Sequence, residues 1–355
     1  MTRDYSAYVP KAPLLKAFKP MTLLATLGWQ PFFAQQTSVE EMETSPPVRV
    51  TAVHRSGVDV KGEGIEEHLP VVPNVAVGDW LMLNKAYPPH SRILERKSLF
   101  KRKAPGRGWD IQLIAANVDT VFVVTSCNQD FNRARLERFV ALATDSDAQA
   151  VLVLTKADLC DAPQTFVDEA RLLGSPVVLL DARGPDVLEK LGDWLKPGQT
   201  LAFLGSSGVG KSTLVNAISG HEIAATRDIR EDDSKGRHTT THRQLHILPA
   251  GFCLMDTPGM REIQLADVQE GLSEVFSDIE ELVGQCRFSD CQHKSEPGCA
   301  VRPAIEGGVI EQERYDRWQK LVQEERSNSE VLAQRKSKNK RLSKTIRQMK
   351  KQKAK

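Results

Sequence analysis

The stretch TLAFLGSSGVGKSTLVNAIS, residues 200–219, most constrains what this chain can fold into. Its centre fits G-x-x-x-x-G-K-[ST], with an apolar run before it and a helical pattern after it, the strand–loop–helix context in which that motif holds phosphate. Gly205, Gly208 and Gly210 let the backbone curl so that its amides, through Ser206, Ser207, Val209 and on to Thr213, face phosphate oxygens. The helix that follows adds the positive end of its dipole. Lys211 is placed to reach the β- and γ-phosphates, and the Ser212 hydroxyl to bind Mg²⁺.

Around this loop the sequence alternates strand and helix. TVFVV (120–124), AVLVL (150–154), PVVLL (176–180) and TLAFL (200–204) are unbroken apolar runs, the pattern of strands buried on both faces of a parallel sheet. Amphipathic segments such as RARLERFVALATDS lie between them, so the class is doubly wound α/β.

The phosphate loop does not choose between bases; TKAD, residues 155–158, does. At the carboxyl end of a parallel strand, Asp158 can accept from both N1–H and the exocyclic amine of guanine, a donor pair adenine lacks, while Lys156 lays its methylenes across the ring. Thr155 stands where GTPases usually carry Asn and has the shorter reach toward the phosphate loop. DTPG, residues 256–259, matches D-x-x-G: Asp256 would hold Mg²⁺ through water, and the Gly259 amide would meet the γ-phosphate. Between loop and DTPG lies DSKGRHTTTH, with the composition of a mobile switch. Thr240 is expected to complete the Mg²⁺ shell, with Thr241 second. Met260 occupies the place where many GTPases put a water-orienting Gln, which leaves His238 as the nearest polar candidate for that role. Lys211, Thr240 and His238 are therefore the expected catalytic group.

Base reader, phosphate loop, switch and DTPG run in that order, whereas in a regular G domain the base reader comes last. Joining the old ends through GPDVLEKLGDWLKPGQT and cutting after DTPG yields the observed order without moving a residue in space. The domain, placed at 107–268, is circularly permuted, and its new ends fall beside a nucleotide-sensitive loop.

The flanks differ in texture. Residues 1–46 read as an extension with one short helix. From 47 to 106, Val48, Val50 and Ala52, then Val58 and Val60, alternate with polar neighbours between glycine turns, which predicts a five-stranded barrel of the OB type. The barrel's last stretch, residues 92–107, holds seven basic residues and one acid. After 260 the pattern turns helical around Cys286, Cys291, His293 and Cys299, a C-x4-C-x-H-x5-C spacing that suits a closed, structural Zn²⁺ site and predicts a helical zinc domain over 269–326. Cys127, Cys160 and Cys253 read as ordinary thiols. The net charge of +2 hides eleven Lys and Arg without an acid in 331–355, so the rest sums to 2 − 11 = −9 and 327–355 is a separate, disordered basic tail. No apolar run reaches membrane length and no signal peptide opens the chain, which predicts a cytoplasmic protein without a membrane partner.

Taken in order, TKAD, GSSGVGKST, GRHTTTH, DTPG and the Cys/His spacing resemble the ribosome small subunit-dependent GTPase A family, the circularly permuted ribosome-assembly GTPases, over roughly residues 45–325. The resemblance implies an α/β fold in which a permuted phosphate-loop GTPase domain is flanked by an N-terminal OB-fold barrel and a C-terminal zinc domain. It implies GTP/GDP, Mg²⁺ and one Zn²⁺ as cofactors. It further implies RNA binding by the barrel, a partner in the small (30S) ribosomal subunit and its 16S rRNA, and GTP hydrolysis stimulated by that subunit during late maturation. The protein is expected to be monomeric. DARG, residues 181–184, then takes the place of the loop behind the guanine. Asp181 replaces the usual Ser, so the Ala182 backbone is the contact carried over. Two rival functions remain open: a nucleotide-gated rRNA-binding module with negligible hydrolysis, to which Met260 lends support, and an ATP-dependent enzyme, which Asp158 disfavours.

Overall fold

The computed structural model describes residues 21–103, 111–220, 244–256 and 268–329. His238, Thr240, Thr241, Gly259, Met260 and the basic run 331–355 lie outside the described residues. The chain forms two compact units, one within Met1–Lys101 and Leu113–Ile263, the other within Arg102–Gln112 and Gln264–Lys355.

In the first unit the described part of the extension carries three short helices rather than the one expected: α1 (Leu23–Thr26), α2 (Pro31–Ala34) and α3 (Val39–Thr44). Thr22 and Ser38 cap α1 and α3 by accepting from the amides of Ala25 and Glu41, and Pro31 opens α2, where its missing N–H costs nothing. Next come β1 (Pro47–Val53), β2 (Gly57–Gly62) and β3 (Ile65–Pro70), an antiparallel meander. β4 (Trp80–Met82) pairs with the other edge of β1, and β5 (Arg92–Ile93) with β4. Five strands are expected over 47–106; these five lie there, together with a sixth over 99–103. Val48, Val50, Val58 and Val60 point inward and pack with Leu69, Val72, Leu81 and Leu83.

Alternation places Arg49 on the opposite face, where a strand residue normally meets solvent. Here that face is covered by the extension: Leu27 and Phe33 pack with Trp80, Met82 and Leu94, and Trp29 meets the Trp80 ring edge-on at 4.8 Å between centroids. Arg49 is consequently buried. Its guanidinium donates to three backbone carbonyls, those of Leu27 in the extension, Gly78 in the barrel (3.2 Å) and Asn117 (3.1 Å). Burial pushes its pKa below the ordinary range, against the pull of Cys253, Asp119 and Asp79. Arg49→Met is expected to strip the Leu27 and Asn117 carbonyls of that donor in an apolar setting, while the Gly78 carbonyl keeps the Asn117 side-chain amide at 3.0 Å, and to destabilise the unit by about 2–3 kcal/mol, read as a lower denaturation midpoint. An unchanged midpoint would show that the junction does not depend on it.

β6 (Leu99–Lys103) and β7 (Ile111–Ala116) form a separate two-stranded sheet. The α/β layer follows: β8 (Thr120–Ser126), α4 (Arg133–Asp145), β9 (Gln149–Thr155), α5 (Pro163–Arg171), β10 (Val177–Leu179), α6 (Val187–Lys190), β11 (Thr200–Gly205), α7 (Lys211–Ser219), β12 (Gln244–Ile247) and β13 (Cys253–Asp256). The strands β10, β9, β8, β11 and β13 lie side by side and parallel. Their apolar runs are explained by burial on both faces: every residue of β8 is buried, and Phe122, Val124, Val151, Val153 and Leu201 share one core with Leu214 and Ile218 of α7. Each such side chain contributes roughly 1.5–3 kcal/mol when fully buried. β12 runs antiparallel to β13 and meets β1 at Gln244 opposite Ala52, so one eleven-stranded sheet passes from the α/β layer into the N-terminal antiparallel strands.

The second unit contains α8 (Gln269–Val275), α9 (Ser277–Gly284), α10 (Val301–Glu306) and a helix over 312–329, which carries three residues beyond the predicted start of the tail. The helical run 270–284 breaks at Phe276, which is fully buried beneath the Arg314 guanidinium, 4.8 Å from its ring centre. Arg314 also grips Asp278 through two 2.7 Å bonds. Among the described residues no helix is long and apolar enough to cross a membrane.

Candidate active site

Because β9, β11 and β13 are parallel, TKAD, the phosphate loop and Asp256 leave the sheet at one edge. Register puts Gly205 opposite Val124 of β8 and Thr155 opposite Ser126, so only β8 separates the base-reading strand from the phosphate strand. Asp256 ends β13 on the other side of β11. β8, which follows the permuted entry, lies directly beside β11.

The phosphate loop leaves β11 through left-handed glycines, with φ of 143° at Gly205, 78° at Gly208 and 93° at Gly210. At Gly205 a side chain is excluded outright, since its Cβ would sit 2.2 Å from the Val124 carbonyl oxygen. Ser207 and Gly208 are exposed at the tip, Val209 is buried beneath it, and Ser206, Gly210, Lys211, Ser212 and Thr213 are half-buried. The Lys211 ammonium donates to the Ser206 carbonyl, so it is folded over the loop it serves.

Thr155 reaches the loop despite its short side chain. It is fully buried, and its hydroxyl lies 2.7 Å from the Val209 carbonyl oxygen and 3.1 Å from that of Thr125. The approach of the strands supplies the reach that an Asn would otherwise provide. A Cβ built on Gly210 would lie 3.5 Å from Thr155 Oγ1 and 3.7 Å from the Ala182 Cβ, so phosphate loop, TKAD and DARG converge at that point. Lys156 adopts a left-handed backbone (φ 57°) that turns the chain into the short 3₁₀ turn Ala157–Leu159, which presents Asp158 to solvent. Ala182 is buried in a turn closed by the Asp181 carboxylate, which accepts the Arg183 N–H at 2.9 Å.

Sequence reasoning passed over Arg135. In the first turn of α4, its guanidinium donates to the Ser206 hydroxyl of the phosphate loop. Nothing in RARLERF marks it, because the contact exists only once α4 has packed against β8 and β9.

In the second unit Cys286, Cys291, His293 and Cys299 place their ligand atoms within 4.8 Å of one another. His293 Nδ1 is 3.6 Å from both Cys286 Sγ and Cys299 Sγ, and none of the three thiols is in a disulfide. Two backbone devices bring them together. His293 takes φ 59°, and the Glu296 carboxylate gathers the amides of Gln292, Lys294 and Ser295; its own backbone amide first, with these, holds its pKa down to about 2. Burial works against ionisation of Cys286, but hydrogen bonds from the Ala300 and Val301 amides and from the Cys291 and Cys299 thiols together set its pKa below the usual thiol range. Burial also lowers the His293 pKa, which favours the neutral imidazole that ligates metal. His293 lies against Trp318, whose indole N–H donates to Glu280 at 3.0 Å. Three soft sulfurs and one nitrogen at this spacing fit zinc.

A phosphate-loop motif, TKAD one strand away and the strand ending at Asp256 on the other side, met in permuted chain order, are the arrangement of a circularly permuted GTPase. Comparisons with known proteins narrow this. A family model described as RsgA GTPase matches residues 93–266. One described as ABC transporter matches 188–354; the overlap contains the phosphate loop, which ATPases and GTPases share. The small ribosomal subunit biogenesis GTPase RsgA 2 of Vibrio parahaemolyticus is 49% identical over 91% of this chain and 92% of its own length. The RsgA of Mesorhizobium japonicum is 42% identical over 87% and 91%. The crystal structure of YjeQ from Thermotoga maritima matches with a TM-score of 0.56 at 27% identity, covering 78% of this chain and 96% of that one. YloQ, described as a circularly permuted GTPase, matches at 0.53 and 26%, covering 79% and 95%. The chain belongs to the RsgA family of small ribosomal subunit biogenesis GTPases, and it is a GTP hydrolase.

Proposed function

We propose that this protein binds the small (30S) ribosomal subunit as a monomer in the cytoplasm, contacts its 16S rRNA through the barrel, and hydrolyses GTP when the subunit is in place. The observation that carries the nucleotide chemistry is the Thr155–Val209 hydrogen bond, which ties the base reader to the phosphate loop. In this reading the amides from Gly205 to Thr213 and the Gly259 amide cradle the phosphates, and Lys211 neutralises β- and γ-oxygens. Ser212 and Thr240 hold Mg²⁺ directly and Asp256 through water. Thr155 and Ala182 set the pocket wall, Lys156 covers the base and Asp158 reads its edge. Cys286, Cys291, His293 and Cys299 hold one structural Zn²⁺, which supplies cross-linking and no chemical step.

Turnover of GTP and of ATP, each with and without purified small subunits, tests the reading. GTP hydrolysis slow alone and fast with subunits is expected, with ATP inert in both. Tight, GTP-dependent subunit binding with no stimulated turnover would instead favour a nucleotide-gated RNA-binding module, the reading that Met260 suggests.

Base selection should follow one carboxylate. Asp158→Asn is expected to weaken GTP and to favour xanthosine triphosphate, whose C2 carbonyl accepts where guanine donates. One hydrogen-bonded mismatch of this kind is worth about 1–3 kcal/mol, or roughly fivefold to more than a hundredfold in relative affinity. An unaltered preference for GTP in competition binding would remove Asp158 from the role.

A further inference from the structure

Three side chains of the N-terminal antiparallel strands meet on their outer surface. His54 follows the end of β1, Asp59 lies on β2 and His68 on β3. His54 Nε2 is 2.7 Å from Asp59 Oδ2, and His68 Nδ1 is 2.7 Å from Asp59 Oδ1. One ligand atom from each residue lies within 4.8 Å of the other two.

The strands dictate this meeting. Val58 and Val60 face the core, so Asp59 between them faces outward. Its direct cross-strand partner is His68. An irregularity of β1 between Val50 and Ala52 puts Ala52 opposite Asp59, and the His54 amide then donates to the Gly57 carbonyl at 2.8 Å, curling His54 back over the pair. Gly57 sets the orientation of the second ring. A Cβ there would lie 2.7 Å from His68 Nε2 and 2.0 Å from the Leu69 carbonyl oxygen. The Nε2 edge of His68 is therefore packed on bare backbone, and its Nδ1 is the nitrogen turned toward Asp59.

We propose that His54, Asp59 and His68 form a second metal site, a two-histidine, one-carboxylate set for a borderline divalent transition metal such as Zn²⁺. Imidazole and carboxylate donors suit first-row metals of this kind. Ligands about 2.0–2.1 Å from a common tetrahedral centre lie roughly 3.4 Å apart, so the observed separations close on a metal with small side-chain rotations. The site differs in kind from the Cys₃His cluster. It has no thiolate, and side-chain exposures of 28%, 42% and 51% leave it open to water and to exchange. Bound metal would pin β1, β2 and β3 together on the strand that also carries β12 at Ala52. The competing account is a metal-free triad in which one carboxylate serves two imidazole N–H donors.

The test uses untagged full-length protein loaded with Zn²⁺ and freed of excess metal. Metal counted per chain should be higher by one in the wild type than in His54→Ala/His68→Ala, and Zn²⁺ should raise the unfolding midpoint of the wild type more than that of the variant. Co²⁺ separates the two sites spectroscopically: Cys291→Ser removes the thiolate charge-transfer band and keeps the nitrogen–oxygen cobalt spectrum, and the histidine variant does the reverse. Since two alanines could loosen the β1–β2 turn, His68→Gln alone, with metal-free midpoints compared, provides the same reading in a folded background. Equal metal content in wild type and both histidine variants would overturn the proposal, whatever the occupancy of the cysteine cluster.

Discussion

Cys291→Ser should strip zinc from the C-terminal cluster and leave nucleotide binding intact. A hydroxyl does not replace a thiolate in a closed Zn²⁺ site, because the metal requires a deprotonated, soft ligand. Structural zinc in finger peptides is worth on the order of 10 kcal/mol of apparent binding energy, far more than the short segment Cys286–Cys299 can recover from packing. Cys299 and Val301 are buried there, but Cys286, Cys291 and His293 are only half-buried, and the loop between them is mostly exposed. The variant should therefore lose hydrogen-exchange protection across 269–326. The phosphate loop lies in the other compact unit, and GTP affinity should stay within about twofold of wild type. Full zinc content in Cys291→Ser, or exchange protection unchanged in a metal-free variant, would remove the cluster from its structural role.

Substitution of His238 should separate hydrolysis from binding. The proposed site supplies phosphate amides, Lys211 and Mg²⁺ ligands, yet the Met260 thioether is a poor acceptor and offers no proton donor for the attacking water. A positioned imidazole contributes typically about 10²–10⁴-fold as a general base or water anchor. His238→Ala is thus expected to keep GTP affinity and small-subunit binding while losing about a thousandfold in stimulated turnover, some 4 kcal/mol of barrier. Met260→Ala should change turnover little. Stimulated turnover near wild type in His238→Ala would assign the water to a group supplied by the ribosome or to another residue of the chain.

The Thr155 contact shows where local reasoning stops. From sequence, Thr in place of Asn shortens the side chain and puts its reach in question. In the fold, β9 and β11 flank β8 closely enough that the hydroxyl meets Val209 at 2.7 Å. Side-chain length was legible, but the separation it had to bridge was not. The extension is a similar case. Residues 1–46 were legible as an extension, but that it covers Trp80 and buries Arg49 depends on which face of the antiparallel strands it meets.

The sequence alone determined the phosphate loop, the order that reveals the permutation, the apolar parallel strands and the Cys/His spacing. Each is a pattern within some twenty contiguous residues or an order of such patterns, and both survive without knowledge of how distant segments pair. Tertiary structure decided the rest: the three carbonyls around Arg49, Arg135 on Ser206, the meeting of Thr155 and Ala182 at Gly210, and the triad of His54, Asp59 and His68. These depend on strand register and helix docking between residues far apart in the chain, and on burial that turns an ordinary polar side chain into one that must find a partner.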